Sequence, residues 1–178
     1  MQSIFNDSAI AYANTDDIPA IRDLLNSAYR GEDSRQGWTT EAHLIAGNVR
    51  TTDNTLLSVM ERPGSVMLKY TAADGQLIGC VNLQQHGNRI YLGMFSVSPK
   101  LQGGGIGKKL LSASEAHAVS LNCSSIYMRV ISVRTELVDW YKRHGYSDTG
   151  ERESFEEDAS SGKHLQQLEF MVLEKFLH

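Results

Sequence analysis

The stretch LQGGGIGKKL, residues 101–110, carries four glycines in five consecutive positions. Glycine weakens any regular element, so such a cluster usually marks a turn, a tight packing contact or a bound ligand. The run follows a strand-like segment, YLGMFSV at 91–97, and precedes a segment in which Ile106, Leu110 and Ala113 share one helical face. A strand, a glycine loop and a helix in this order present bare backbone N–H groups and the positive end of the helix dipole to a ligand above the helix start. The sequence therefore predicts an anion site.

Two lysines, Lys108 and Lys109, strengthen this prediction. Cations in the first turn of a helix oppose its dipole, at roughly 0.3–1 kcal/mol each when exposed, and a bound phosphate reverses that sign. The alternative interpretation is a glycine-rich turn with two solvated lysines.

The spacing of the glycines excludes the two best-known phosphate motifs. The P-loop pattern G-x-x-x-x-G-K-[ST] fails because Gln102 stands five positions before Gly107 and Lys109 follows Lys108. The dinucleotide pattern G-x-G-x-x-G fails because Lys108 occupies its last position. The pattern that fits is Gln/Arg-x-x-Gly-x-Gly, at Gln102, Gly105 and Gly107. A nucleotide-binding module of another kind is therefore disfavoured.

Together with GMFSVSP at 93–99 and LVDWYKRHGY at 137–146, this pattern resembles the GNAT superfamily of acyl-CoA-dependent N-acyltransferases. The segments RTELVDWYKRHGY, AYRGEDSRQGWTTEA and LEFMVLEK are similar to one sub-branch of that superfamily. The resemblance extends in element order over essentially the whole chain. It therefore implies a single N-acetyltransferase domain at 1–178.

The resemblance implies that acetyl-CoA, or coenzyme A, binds as the co-substrate along the glycine loop and the strand before it. Backbone amides at 102–108 would cradle the pyrophosphate, and the backbone at 94–97 would pair with the pantetheine arm like an added strand. Arg134 stands where the family often has an asparagine and would reach the phosphates instead. Cofactor contacts are expected at Met94, Phe95, Ser96, Val97, Gln102, Gly103, Gly104, Gly105, Ile106, Gly107, Lys108, Lys109 and Arg134.

Acyl transfer to an amine needs a neutral amine, stabilisation of the oxyanion and protonation of the departing thiolate. A lysine-like amine has an ordinary pKa of about 10.4 and a free thiol one of about 8.5, so a base and an acid both assist. Tyr141 matches the family's tyrosine in WYKRHGY and is the candidate acid; the alternative is a core tyrosine whose hydroxyl is satisfied. Main-chain N–H groups near Phe95 would supply the oxyanion contact.

The strand at 91–97 contains no carboxylate, so the candidate base is Glu41, in the segment that usually overhangs the acceptor in this superfamily. The alternative is a carboxylate placed in the first turn of a helix. Trp38 lies in the same segment and is expected to contact the acceptor.

Further acceptor contacts are expected on two other segments. Tyr29, Arg30 and Arg35 are candidates for an acidic part of the acceptor. Asn82 and Gln84 share a strand face with Cys80 and His86, and this polar face would line the acceptor groove. The alternative for that face is a half-solvated strand surface.

Hydrophobic periodicity predicts the remaining elements. One helix is expected within 15–31, a second near TTEAHLIAG at 39–47 and a third within 52–64. Strand-like runs follow from residue 65, with hairpin signals at Asp74-Gly75 and Gly87-Asn88. The predicted order is βααα–βββ–α–β–α–ββ, an α/β class in which helices flank one central sheet. The resemblance adds a mostly antiparallel sheet with a splay after the fourth strand.

Composition limits the possible partners and compartment. The chain has 178 residues, 17 Lys+Arg and 21 Asp+Glu, and this net charge of -4 argues against general nucleic-acid binding. No segment approaches ~20 continuous apolar residues and the start has no signal-peptide pattern, so a cytoplasmic location without a membrane is expected. Cys80 and Cys123 are expected to be reduced core thiols, and no second pair completes a zinc site.

The leading hypothesis is an enzyme that moves an acetyl group from acetyl-CoA to a primary amine of a small molecule or peptide. Direct attack in a ternary complex is expected, because no cysteine lies in either motif. The alternative is a non-catalytic acyl-CoA-binding sensor domain, which would keep Gln102 to Gly107 but need neither Tyr141 nor a base. Dimers are common in the superfamily, so a homodimer is a further expectation.

Overall fold

The computed structural model describes residues 3–29, 45–46, 50–155 and 163–178. Within these residues the chain forms β1 (Ile10–Tyr12), α1 (Ile18–Tyr29), β2 (Ile45–Ala46), α2 (Asp53–Glu61), β3 (Ser65–Thr71), β4 (Leu77–His86), β5 (Arg89–Val97), α3 (Ile106–Ser120), β6 (Ser125–Ile131), α4 (Thr135–Arg143), β7 (Ser147–Phe155), β8 (Lys163–His164) and β9 (Leu168–Phe176). Short 3₁₀ turns precede α1 at Thr15–Asp17 and follow β5 at Pro99–Leu101.

The first helix starts from a reciprocal cap. The Asn14 side chain accepts a hydrogen bond from the Asp16 N–H at 2.9 Å, and the Asp17 carboxylate accepts one from the Asn14 N–H at 2.9 Å. Both bonds satisfy donors that a helix start otherwise leaves open. The apolar face of α1 that the sequence predicts is buried, at Ile18, Ile21, Leu24, Leu25 and Ala28.

The main sheet has the strand order β1-β3-β4-β5-β6-β9-β7. Its neighbours run antiparallel except β5 and β6, which are parallel. Helices α3 and α4 pack against one face, and α1 and α2 cover the other. The predicted class, a mostly antiparallel sheet flanked by helices, is confirmed.

The sheet opens between its two parallel strands. The ladder between β5 and β6 consists of three pairs and ends at Tyr91–Tyr127, although β5 continues to Val97 and β6 to Ile131. On its other side β5 bulges against β4, where Met94 has a left-handed φ of 50°. A bulge bends its strand and increases the local twist. The predicted splay is therefore confirmed, at the strand that the sequence counts as the fourth.

Two short elements differ from the sequence-based expectation. Residues 45–46, at the end of the helix predicted near 39–47, form β2 instead and pair with β8. Ladder hydrogen bonds to a distant segment replace the local helical ones, and sequence periodicity carries no information about that partner. The remainder of the predicted helix lies outside the described residues.

Both cysteines are buried and free, as predicted. Cys80 lies in the apolar cluster under α1 and α2, and burial raises the pKa of its thiol to about 12. Among the described residues no helix is both long and apolar enough to cross a bilayer.

Candidate functional site

The glycine loop keeps the start of α3 open. Gly103 and Gly105 have φ of 92° and 82°, a region that side chains other than glycine rarely adopt. Gly105 is the N-cap of α3 and supplies no side-chain cap. A Cβ placed on either glycine would meet no other atom of the described residues within 4 Å. The first-turn N–H groups of α3 therefore border open space, as the anion prediction requires.

A cavity of ≈ 460 Å³ lies between this loop, the end of β5 and helix α4. We call it the first cavity. Its lining consists of Ala28, Tyr29, Phe95, Ser96, Val97, Leu101, Gln102, Gly103, Gly105, Ile106, Gly107, Lys108, Arg134, Leu137, Trp140, Tyr141, Arg143 and His144. It extends from the exposed glycine loop to the splay between β5 and β6.

The charge of the first cavity is positive. Lys108, Arg134 and Arg143 line it, and no Asp or Glu occurs among the described residues of its lining. A cleft lined by charge of one sign concentrates ligands of the opposite sign. The cavity is therefore suited to a polyanion.

The end of β5 forms one wall of the first cavity. Phe95, Ser96 and Val97 line it, and the Gln102 side-chain amide donates to the Val97 carbonyl at 3.0 Å, which ties the loop to the strand. Met94 instead lines a second cavity.

This second cavity, of ≈ 130 Å³, occupies the gap between the diverging strands β5 and β6. Its lining consists of Tyr29, Arg50, Tyr91, Leu92, Gly93, Met94, Phe95, Met128, Arg129, Val130, Ile131, Arg134, Leu137, Tyr141, Phe155 and Phe170. The two cavities share Tyr29, Phe95, Arg134, Leu137 and Tyr141, so they meet at the splay.

Tyr141 stands at this meeting point. Tyr141 is 4% exposed. The centroid of its ring lies 6.2, 5.1 and 5.9 Å from the ring centroids of Phe95, Trp140 and Tyr146. Burial raises the pKa of the Tyr141 hydroxyl well above its ordinary value of 10.0, and Arg134 offsets part of that rise. At neutral pH the hydroxyl therefore keeps its proton and can donate it.

Residues 18–146 match the acetyltransferase (GNAT) family. The chain belongs to that family. It is 33% identical over 64 residues to the spermine/spermidine N(1)-acetyltransferase of Bacillus subtilis (strain 168). That match covers 35% of this chain and 42% of the relative, so it spans less than half of the relative's length.

Solved GNAT-type structures share the fold. The PaiA N-acetyltransferase from Thermoplasma acidophilum, in complex with coenzyme A, superposes with a TM-score of 0.71 at 18% identity, covering 94% of this chain and 98% of that chain. The ribosomal-protein-S18-alanine N-acetyltransferase from Escherichia coli has a TM-score of 0.69 at 14% identity, covering 94% and 92%. At these identities the likeness establishes the fold alone.

Lys109 was predicted to contact the cofactor, but it is absent from the described lining of the first cavity of this GNAT family member. Its ammonium pairs with Asp7 at 3.2 Å and lies 5.9 Å from the Tyr70 ring centroid, away from the first cavity. Successive helical residues point about 100° apart, so Lys108 and Lys109 leave α3 in different directions, and Lys108 is the one in the described lining of the cavity. Gly104 is likewise absent from the described lining of the cavity. A Cβ placed on Gly104 would lie 3.5 Å from the Leu101 carbonyl oxygen.

Asn82 and Gln84 correct a second prediction. The Asn82 amide donates to the Ser65 hydroxyl and the Val66 carbonyl at 3.0 and 2.9 Å, and the Gln84 amide donates to the Pro63 carbonyl at 2.7 Å. Neither residue is in the described lining of the two cavities. Helices α1 and α2 cover this face of β4, so it is part of the interior and not an acceptor groove.

The other predicted acceptor residues divide into two groups. Tyr29 lines both cavities, and its hydroxyl donates to the Phe95 carbonyl at 2.6 Å. Arg30, Arg35, Trp38 and Glu41 lie outside the described residues.

Several residues that line the two cavities were not predicted from the sequence. Trp140, Arg143 and His144 line the first cavity from the end of α4. They belong to the same motif as Tyr141, so their position in that motif could have indicated them. Arg50 and Arg129 line the second cavity from segments with no motif, so nothing in the sequence marks them.

The two neighbouring lysines provide a matched test of where the anion binds. Lys108→Met should weaken coenzyme A binding about five-fold, the effect of losing roughly 1 kcal/mol from one exposed ion pair. Lys109→Met should leave that affinity unchanged, because its side chain pairs with Asp7. Isothermal titration at low and high salt measures both, and added salt should reduce the Lys108 effect. Equal losses in the two variants would contradict the assignment.

Proposed function

We propose that this chain is an acetyl-CoA-dependent N-acetyltransferase that acetylates a primary amine by direct attack in a ternary complex. The observation that carries the proposal is the meeting of the two cavities at Tyr141. One cavity has the charge for coenzyme A, and the other offers a separate approach to the same point. Membership of the GNAT family supports this arrangement of co-substrate and acceptor.

The residues of the first cavity fit acetyl-CoA, which supplies an acetyl group activated as a thioester. Backbone N–H groups of the loop at 102–108 would hold the pyrophosphate, with Lys108 and Arg143 beside it. The edge of β5 beyond Tyr91, where its ladder with β6 has ended, would take the pantetheine arm. The structurally similar PaiA N-acetyltransferase was solved with coenzyme A, which supports this assignment.

The proposed reaction moves one acetyl group and one proton. The lone pair of a neutral amine attacks the thioester carbonyl carbon, the new C–N bond forms and the C–S bond breaks. The nitrogen loses a proton and the departing sulfur gains one, so the products are an amide and a free thiol. Tyr141 donates its O–H to the sulfur as negative charge develops there, and the Tyr141 hydroxyl is restored by the proton that leaves the amine.

The β5 bulge favours stabilisation of the oxyanion by backbone groups. It takes Phe95 out of the regular ladder with β4, and the left-handed Met94 before it redirects the strand. Phe95 lines both cavities, which supports the proposal that its N–H binds the thioester oxygen. A fixed N–H donor aimed at developing charge contributes roughly 2.7–4 kcal/mol in comparable sites.

The raised pKa of Tyr141 predicts a one-sided pH profile. The acid is active in its protonated form, and burial keeps that form populated above pH 10. We therefore expect kcat/KM to rise from about pH 6.5 to about 9.5 as the amine loses its proton, without a descending limb from this tyrosine. Initial rates with saturating acetyl-CoA measure the profile. A fall in kcat/KM below about pH 9 in stable enzyme would contradict the assignment of the acid.

Product analysis tests the proposal itself. Purified protein, acetyl-CoA and a panel of primary amines should yield acetylated amine and free coenzyme A thiol in equal amounts, measured by mass spectrometry and thiol titration. Free thiol without acetylated amine would indicate hydrolysis and contradict the proposal. Tight acetyl-CoA binding without turnover of any amine would favour the sensor alternative.

A further inference from the structure

We propose that the amine acceptor carries a carboxylate near its amino group, and that Arg50 and Arg129 bind this carboxylate in the second cavity. The inference rests on the proposed acetyltransferase function, which leaves the chemical class of the acceptor open. It names that class as small amino-carboxylic acids, such as amino acids and short peptides.

The charge of the second cavity is the first observation. Arg50, Arg129 and Arg134 line it, and the described residues of its lining include no Asp or Glu. Arg134 also lines the first cavity and is shared with the coenzyme A side. Arg50 and Arg129 belong to the second cavity alone. The acceptor side therefore has cations beyond those that serve the co-substrate.

Aromatic contacts hold both guanidinium groups at the cavity wall. The Arg129 guanidinium carbon lies 5.3 Å from the Tyr91 ring centroid, and that of Arg50 lies 5.4 Å from the Tyr29 ring centroid. Both tyrosines line the cavity. The Arg129 side chain also has a hydrogen bond with the Tyr91 side chain, which helps to fix its position. A guanidinium has five N–H donors in one plane, so the remaining donors match the two oxygens of a carboxylate. The arginines are thus pre-positioned to bind an anion.

A carboxylate already occupies part of this site. The Arg129 Nε donates to the Glu153 carboxylate at 2.8 Å, and both side chains are 42% exposed. One guanidinium has five N–H donors, so a substrate carboxylate can share Arg129 with Glu153 or replace it. The contact shows that a carboxylate can reach the Arg129 guanidinium at hydrogen-bond distance.

The same charges disfavour a polycation. The relative from Bacillus subtilis is named for spermine and spermidine, whose chains carry several ammonium groups at neutral pH. A second ammonium group beside Arg50 and Arg129 would be repelled by two guanidinium groups, against attraction to the Glu153 carboxylate alone. We therefore expect this chain to differ in acceptor from that relative.

The test uses matched pairs of amines that differ only in a carboxylate. Glycine and glycinamide, β-alanine and β-alaninamide, and Ala-Ala and Ala-Ala-amide are assayed with acetyl-CoA, beside spermidine. Because the amide members have a lower amine pKa, kcat/KM is expressed per neutral amine at the assay pH. On that basis the carboxylate members should have kcat/KM at least about ten-fold higher than the amides, the effect of a hydrogen bond to a charged group. Spermidine should be the poorest acceptor.

Three variants test whether Arg129 and Glu153 determine the preference for carboxylate acceptors. Arg129→Gln should reduce the carboxylate-to-amide ratio of kcat/KM by about ten-fold, and Glu153→Gln should raise it by removing the competing carboxylate. Arg89→Gln is the matched control: Arg89 lies over Tyr127 on the same sheet and pairs with Glu174, outside the described lining of the cavity. Its ratio should equal that of the unmodified protein.

The outcomes separate the two proposals. Acetylation of the amides or spermidine with equal or higher kcat/KM would overturn the carboxylate inference and leave the acetyltransferase function standing. A ratio that Arg129→Gln does not change would also overturn the inference. Absence of turnover with every amine of the panel would overturn both proposals.

Discussion

Tyr141→Phe should lower kcat by about 100-fold or more, within the usual contribution of a positioned acid. The substitution removes one hydroxyl and keeps the ring, so the packing against Phe95 and Trp140 stays intact. The dissociation constant for coenzyme A should change by less than two-fold. Steady-state kinetics and isothermal titration on the same preparation measure the two effects separately.

Tyr146→Phe is the matched control for this variant. Tyr146 is also buried, its ring lies 5.9 Å from that of Tyr141, and it is absent from the described lining of both cavities. Its loss should leave kcat within about two-fold of the unmodified protein. Equal rates in the two variants would show that Tyr141 is a packing residue, as the core alternative holds.

Gly105→Asp should weaken coenzyme A binding by about 100-fold or more. The new carboxylate would stand at the start of α3, beside the proposed pyrophosphate site, where two like charges ~6 Å apart repel by about 3 kcal/mol at an effective dielectric constant of 20. It would also oppose the favourable interaction of the helix dipole with the phosphates. Isothermal titration with coenzyme A measures the loss.

Two further variants separate charge from backbone strain. Gly105→Asn has nearly the shape of Gly105→Asp without its charge, and asparagine tolerates a left-handed backbone, so its affinity loss should be below about ten-fold. Gly75→Asp introduces the same side chain at a φ of 89° in the turn between β3 and β4, with nothing within 4 Å of the new Cβ. It should lower stability without affecting coenzyme A binding. Equal losses for Gly105→Asp and Gly105→Asn would contradict an anion site here.

The long elements follow from local sequence patterns. The apolar face of α1, the hairpin turns at Gly75 and Gly87 and the strands they join are all where periodicity and turn chemistry predict them. Strands β2 and β8 were not predicted, because each has two residues and forms by pairing with the other. A pairing across more than a hundred positions leaves no local pattern for sequence analysis to detect.

The candidate site also contains residues that local motifs predict and residues whose surroundings depend on distant segments. Gln102, Gly105, Gly107 and Tyr141 belong to motifs, and the structure brings all four to the first cavity. Lys109 instead pairs with Asp7, a residue from the start of the chain that no local motif could indicate as its partner.

The acceptor side shows the same limit. The polar face of Asn82 and Gln84 was predicted from period-two alternation, which cannot indicate that α1 and α2 cover it. Arg50 and Arg129 reach the second cavity from separate segments of the chain. The proposed acceptor site depends on tertiary packing to a greater extent than the proposed co-substrate site.

The most direct test of the central claim is the melting temperature in the presence of acetyl-CoA, coenzyme A, ATP or NAD. A ligand at ~100 times its dissociation constant stabilises the folded state by about 2.7 kcal/mol, which should raise Tm by roughly 5–10 °C for a domain of this size. We predict this rise with acetyl-CoA and coenzyme A, little change with ATP or NAD, and no rise in Gly105→Asp. No rise with coenzyme A, or an equal rise with ATP, would contradict the assignment of the glycine loop and the function built on it.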